Sequence, residues 1–157
     1  MNASKKHNYA IEDVVPHDHP MILIDELLSY DNEKACCQVT IHPKSNFYNT
    51  QSDSVPSYVA IEYMAQSIAA FANANEKDQG REVSIGFLVS SRKFKMSMSE
   101  FSQGMQLQIY VEQLYVESGG LSAFDCFIEY QGERVASAKI NTFNPEDASA
   151  FLAQATQ

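Results

Sequence analysis

One stretch of this chain constrains everything around it. From Ser57 to about Asn75, Tyr58, Ile61, Ala65, Ile68, Ala69 and Ala72 recur at helical spacing, while Val59, Ala60, Met64 and Phe71 fill the opposite side. A helix that is apolar nearly all round is a buried one, so the rest of the chain must supply the surface that covers it. Pro56 suits the first turn, where its missing N–H costs no intrahelical bond, and the many alanines let a sheet approach closely.

The text on either side reads as strand. Residues 21–28 and 34–41 flank the turn 30–33 and predict a hairpin, whereas 43–57 lack periodicity and predict a loop of unusual length. After the helix Val83, Ile85, Phe87 and Val89 alternate, and Phe94, Met96 and Met98 follow Ser90-Ser91 as one long strand with a bulge or bend. Leu107, Ile109 and Val111 lead the next strand, and Phe124, Cys126, Ile128 and Tyr130 line one face of another, with Ser118-Gly119-Gly120 between them. Gln131-Gly132-Glu133 turns into a last strand over 134–143, where small Ala136 and Ala138 beside Ile140 suit packing against the helix. Residues 1–9 read as polar and mobile, 11–15 as a short helical turn stopped by Pro16, and 147–155 as a short closing helix. The expected fold class is α+β, a single domain over 1–157 with an antiparallel sheet of five to six strands on one long buried helix.

Composition narrows the function classes. With 45% hydrophobic and 20% charged residues the chain is an ordinary globular one, and its net charge of −9 argues against a nucleic-acid partner, whose phosphates that field repels. The longest apolar run, 58–72, is broken by Glu62, Gln66 and Ser67 and is too short and polar to span a bilayer. The N-terminal residues lead into no apolar segment, so a cytoplasmic location is expected. Cys36, Cys37 and Cys126 have no metal-binding spacing, and adjacent strand residues point to opposite faces, which predicts reduced, packed thiols.

Glu62 is the sharpest chemical feature. A carboxylate in the first turns of an apolar helix is either desolvated, which makes it a candidate acid or base, or aimed at a cavity. The plainer alternative is a partner for the positive end of the helix dipole. Gln66 lies one turn on and shares its face, within reach of a hydrogen bond to Glu62, although a structural role suits it better.

Two segments resemble one family closely. Val15-Pro16-His17-Asp18-His19-Pro20-Met21-Ile22-Leu23-Ile24-Asp25 is similar to the Leu-Pro-His-Arg-Tyr-Pro-Phe-Leu-Leu-Val-Asp opening of the 3-hydroxyacyl-[acyl-carrier-protein] dehydratases of the FabZ type. Val55-Pro56-Ser57-Tyr58-Val59-Ala60-Ile61-Glu62-Tyr63-Met64-Ala65-Gln66 is similar to that family's Phe-Pro-Gly-Val-Leu-Ile-Leu-Glu-Ala-Met-Ala-Gln helix start. Ile85-Gly86-Phe87-Leu88 and Arg92-Lys93-Phe94-Lys95 add weaker support, and the element order agrees over about residues 12–143. The Tyr-Met-Ala-Gln helix after Val-Pro-Ser most resembles the divergent dehydratase-like proteins encoded with aryl-polyene pigment synthesis.

The resemblance implies a hot-dog fold, a curved sheet wrapped round the helix, and a dimer or a hetero-pair with a second hot-dog chain. It implies Glu62 as a catalytic group, Ser57 in the place where the family's helix-starting glycine offers its N–H to the thioester carbonyl, and Gly86 beside the substrate. The family's loop histidine stands fourteen residues before its glutamate in His-Phe-Pro-Gly; here that position is Tyr48, and His-Phe-Pro-Gly does not occur.

Dehydration needs a base for the α-proton and an acid for the leaving hydroxyl, so His17 is the first candidate for the missing half and His19 the second, with Tyr48 and Asp53 behind them. His17 and His19 lack a convincing third ligand for a metal, and His42 and His7 look peripheral. Arg92, Lys93 and Lys95 form the strong positive patch of an acidic chain and are expected to steer an acyl carrier protein bearing its phosphopantetheine arm, unless they are a solvated strand end. No cofactor is required. The alternatives are an acyl thioesterase on the same fold and a non-catalytic carrier-binding or partner subunit.

Overall fold

The computed structural model describes residues 9–16, 21–83 and 87–143. The short helix α1 (Ile11–Val14) is followed by the hairpin β1 (Glu26–Tyr30) and β2 (Lys34–Thr40). Next come β3 (Ser54–Pro56), a 3-10 turn over Ser57–Val59 and the long helix α2 (Ala60–Asp78). Five strands complete the order: β4 (Phe87–Met96), β5 (Glu100–Ser102), β6 (Gln106–Val116), β7 (Leu121–Tyr130) and β8 (Glu133–Phe143).

Six strands form one antiparallel sheet in the order β1-β2-β6-β7-β8-β4, and α2 covers one face of it, mainly against β6 and β2. This is the hot-dog arrangement. Strand periodicity sorts the side chains: Cys37, Ile109, Ile128 and Ala136 stand in one cross-strand row toward the helix, each at most 3% exposed. Phe71 of α2 meets Phe124 of β7 edge to face, centroids 5.8 Å apart. Burying one such side chain contributes about 1.5–3 kcal/mol, and this interface rather than helix propensity holds α2 in place. The next row, Cys36, Tyr110, Phe127 and Ser137, faces away from α2. The β7–β8 turn needs left-handed backbone at both central positions, and Gln131 (φ 53°) with Gly132 (φ 81°) supplies it.

The C-terminal end of α2 is fixed twice over. Gly80, at φ 74°, closes the C-terminus: its N–H reaches the Lys77 carbonyl and the Arg81 N–H the Glu76 carbonyl, the double bond pattern of a glycine-terminated helix. The hydroxyls of Tyr9 and Tyr30 both donate to Asp78, at 2.7 and 2.8 Å, so this end is also clasped from outside.

Four sequence expectations need correction. Tyr9 is held by that clasp and by packing against the Tyr30 ring, so the expected mobility fails there, and the rest of that expectation, 1–8, lies outside the described residues. The first strand begins at Glu26, not near 21: ladder bonding starts with the Asp25 N–H on the Gln38 carbonyl, and the chain before it is bound to α2 instead. The loop over 43–57 contains β3, which pairs with β5 as a separate two-stranded ribbon; three-residue strands carry too little pattern to read. Met98 falls in a turn after β4 rather than in the strand. The expected helix at 147–155 lies outside the described residues. No helix among the described residues is long and apolar enough to cross a membrane.

Candidate active site

The helix is less uniformly buried than its composition implies. Glu62 is exposed, Ala65, Ala69 and Ala72 are half-buried, and this stripe of α2 forms one wall of a cleft of ≈ 630 Å³. The opposite wall comes from β6, β7 and their hairpin, including Gln113, Val116, Ser122 and Phe124, and Pro16 closes one side. Glu62 is therefore aimed at a cavity rather than desolvated. It also lies in the first turn of α2 without capping it, where the helix dipole favours its charge. Among the described residues Glu62 and Glu76 are the titratable groups of the cleft.

Gln66 does not hold Glu62. Its buried amide clamps the strand-like run before β1: Oε1 accepts the Leu23 N–H and Nε2 donates to the Met21 carbonyl, both at 2.8 Å. Two turns on, Asn73 is 1% exposed and its Nδ2 donates to the Val14 carbonyl at 2.9 Å. The Glu62 face of α2 thus fixes the chain on both sides of residues 17–20. His17 and His19, like Gly86, lie outside the described residues. The sequence did not single out Asn73, yet a signal was there: Glu62, Gln66, Asn73 and Glu76 follow helical spacing and mark one polar stripe on an apolar helix.

Ser57 is 2% exposed, and its N–H is already bonded to the Ser99 carbonyl at 3.0 Å. It therefore does not offer that donor to a carbonyl as the resemblance implies. The turn that follows is bonded within itself, the Ala60 N–H reaching back to the Ser57 carbonyl.

Tyr48 donates toward Asp53 Oδ1 and Gln103 Oε1, both 3.1 Å away, and neither Tyr48 nor Asp53 lines the cleft. Burial and the Asp53 carboxylate push the Tyr48 phenol above its ordinary value, so it stays protonated at neutral pH and is a poor base. His42 caps an exposed turn, its Nδ1 accepting the Lys44 N–H. The three thiols are free and buried; burial pushes Cys37, under α2, up to about 12, which keeps it an inert thiol. Arg92, Lys93 and Lys95 are exposed on β4, and Lys93 and Lys95 line a different hollow, on the sheet face away from α2.

Fold and cleft together define a hot-dog domain with Glu62, in the first turn of its central helix, on the wall of a cavity. The family model described as ApeP-like, ApeP dehydratase, matches residues 9–153, and the chain belongs to that family. The FabZ 3-hydroxyacyl-[acyl-carrier-protein] dehydratase of Brucella melitensis is 27% identical over 132 residues, 81% of this chain and 81% of that protein. Its Ralstonia nicotianae counterpart is 28% identical over 145 residues, 88% of this chain and 86% of that one. A chain of the dehydratase heterocomplex ApeI:P from Xenorhabdus doucetiae has the same fold, with a TM-score of 0.85 at 23% identity over 94% of this chain and 98% of that chain. A hypothetical thioesterase with coenzyme A from Streptococcus pneumoniae shares the fold more distantly, with a TM-score of 0.58 at 13% identity over 76% and 84% of the two chains.

Proposed function

We propose that this dehydratase-family chain removes water from 3-hydroxyacyl thioesters carried on acyl carrier protein, in fatty-acid or aryl-polyene synthesis. The observation that carries the reading is Glu62, an exposed carboxylate on an otherwise apolar stretch of cleft wall, on the helix face that anchors the chain around His17. In the reaction the C2–H bond breaks and its electron pair forms the C2=C3 double bond, while the C3–O bond breaks and the hydroxyl leaves as water. His17 accepts the C2 proton, with His19 as the second choice, and Glu62, in its protonated form, gives the departing oxygen its proton and is left as the carboxylate that the helix dipole favours. Gln66 acts as a positioning residue.

Arg92, Lys93 and Lys95 attract the acidic carrier at long range. Strand β4 is a sheet edge ten residues long, and an edge of that length invites pairing with a second hot-dog chain, identical or not. A shared site is a second reading, favoured by the absence of any titratable partner near Glu62 other than Glu76 among the described cleft residues; there the other chain contributes the base.

Product analysis tests the proposal. A 3-hydroxyacyl carrier protein incubated with this chain, alone and co-purified with a hot-dog partner, is expected to lose one water and stay on the carrier. Free acid with unloaded carrier would mean a thioesterase, and an unchanged substrate in both preparations would mean a binding subunit.

A further inference from the structure

A second hollow of ≈ 590 Å³ lies on the sheet face away from α2, and the proposed dehydration does not use it. Its floor is the outward row Cys36, Tyr110, Phe127 and Ser137, side by side on β2, β6, β7 and β8. Tyr110 stacks on Phe127, centroids 4.8 Å apart and planes at 16°, and the Arg134 guanidinium sits 4.0 Å from the centre of the same Phe127 ring. Two groups that close cannot share one face of a ring, so Phe127 is sandwiched. Half-buried Tyr110 has Cys36 as its cross-strand neighbour on β2, so the two rings and the thiol form one apolar strip across the floor.

The rim concentrates charge. Lys34, Lys93, Lys95, Arg134 and Lys139 line this hollow, five of the 11 lysines and arginines in a chain of net charge −9. Three carboxylates stand among them, but two are committed: Asp125 to Lys139 at 2.8 Å, and Asp31 to the N–H groups of Glu33 and Lys34 at 2.7 and 2.9 Å. Lys34, Lys93, Lys95 and Arg134 make no ion pair among the described residues. Two of these cations are set on the rim by an irregularity, since Lys93 takes a left-handed φ of 54° inside the bulge between Arg92 and Lys95. That conformation is costly for a residue with a side chain, and bulges re-aim side chains.

From this arrangement we infer that the outer hollow binds a small organic anion, a phosphate or carboxylate head on a ring-sized apolar body. The volume falls within the range of about 300–1,000 Å³ usual for small-molecule sites, which pair an apolar lining with a few convergent polar groups. The head meets the ammonium and guanidinium groups of the rim, and the body lies on the apolar strip of Cys36, Tyr110 and Phe127. The sheet separates this ligand from Glu62, so the site is distinct from the catalytic cleft and stands whether or not the chain is a dehydratase.

Calorimetric titration of the full chain with four probes tests the inference: 1-naphthyl phosphate, 1-naphthoate, 1-naphthol and inorganic phosphate. The first two, which separate a phosphate from a carboxylate head, are expected to bind at one equivalent, with at least one of them tenfold or more tighter than both the neutral ring and the bare anion. Arg134→Gln, and separately the pair Lys34→Gln with Lys95→Gln, each weaken that binding at least tenfold, while Glu62→Gln changes it less than twofold. Circular dichroism confirms the fold of each variant, and the lysine pair carries the test should Arg134→Gln unfold. No binding of either organic anion, equal binding of 1-naphthol, affinity that survives loss of the cations, or affinity lost with Glu62→Gln would each overturn it.

Discussion

The two faces of the main sheet are built from the same strands and do opposite things. Toward α2, alternate residues make a dry interior in which Leu107, Ile109, Ile128 and Ile140 are fully buried. Away from α2, their neighbours are half-exposed and polar: Gln38 bonds Gln108 at 3.0 Å, Lys139 pairs with Asp125, and cations gather around two stacked rings. A period of two residues is enough to place stability on one side of a strand and recognition on the other. The helix repeats the division, with Met64, Ser67 and Phe71 packed inward and Glu62 on the cleft.

Substitutions on the two sides should separate accordingly. The largest stability effect belongs to the inner face: Ile109→Ala, at a site 0% exposed, should lower the unfolding free energy by about 2–5 kcal/mol in urea denaturation. A loss under 1 kcal/mol would mean that the inner row is not the tightly packed core described. Next comes Gln66→Ala, which strips partners from the Leu23 N–H and the Met21 carbonyl and should cost about 1–3 kcal/mol. Because Gln66 steadies the chain beside residues 17–20, that variant should lose kcat more than it raises KM; a purely structural amide would lower the melting temperature and leave turnover by the folded fraction intact.

An alkaline titration sharpens the contrast further. Burial raises Cys37 from 9.0 to about 12 in the folded chain, and Cys126, Tyr63 and Tyr30 are raised as well, with desolvation the largest cause for each. Groups whose folded pKa is raised stabilise fully below their unfolded values and lose that contribution as pH climbs toward the folded ones. These groups should therefore lower the melting temperature steadily above about pH 9, where the thiols of the unfolded chain begin to ionise. The outer face should give the smallest effect: Lys139→Ala removes a half-exposed ion pair and should change stability by no more than about 1 kcal/mol, with a dependence that salt erases.

Long, strongly patterned elements were legible in the sequence. The apolar spacing of α2, the alternation of Phe124, Cys126 and Ile128, and a turn at Gln131-Gly132-Glu133, which the structure tightens to Gln131-Gly132, each reflect a local physical demand that one segment states by itself. What stayed hidden depends on partners distant in the chain. Residues 21–25 are apolar enough to read as strand, yet the amide of Gln66 holds Met21 and Leu23 along the helix. Ser57 looked like a free donor until Ser99, brought by the β3–β5 ribbon, took its N–H. For the site, Glu62 was readable as a carboxylate out of place, whereas the cleft it faces exists only after β6 and β7 fold against α2. Arg92, Lys93 and Lys95 were recognisable as a cluster, but the sequence could not show that two of them share a hollow with Lys34, Arg134 and Lys139 from other strands.

The account turns on Glu62, and one comparison tests it most directly. Dehydration of a 3-hydroxyacyl carrier protein would be followed by mass spectrometry with wild type, Glu62→Gln and His17→Ala, beside the melting temperature of each. Glu62 is exposed, so its amide variant should melt within the small range of surface substitutions, about 0.5 kcal/mol, while its rate falls by about 10²–10⁴, the usual share of a general acid. His17→Ala should fall comparably. A Glu62→Gln protein that dehydrates at the wild-type rate would contradict the account.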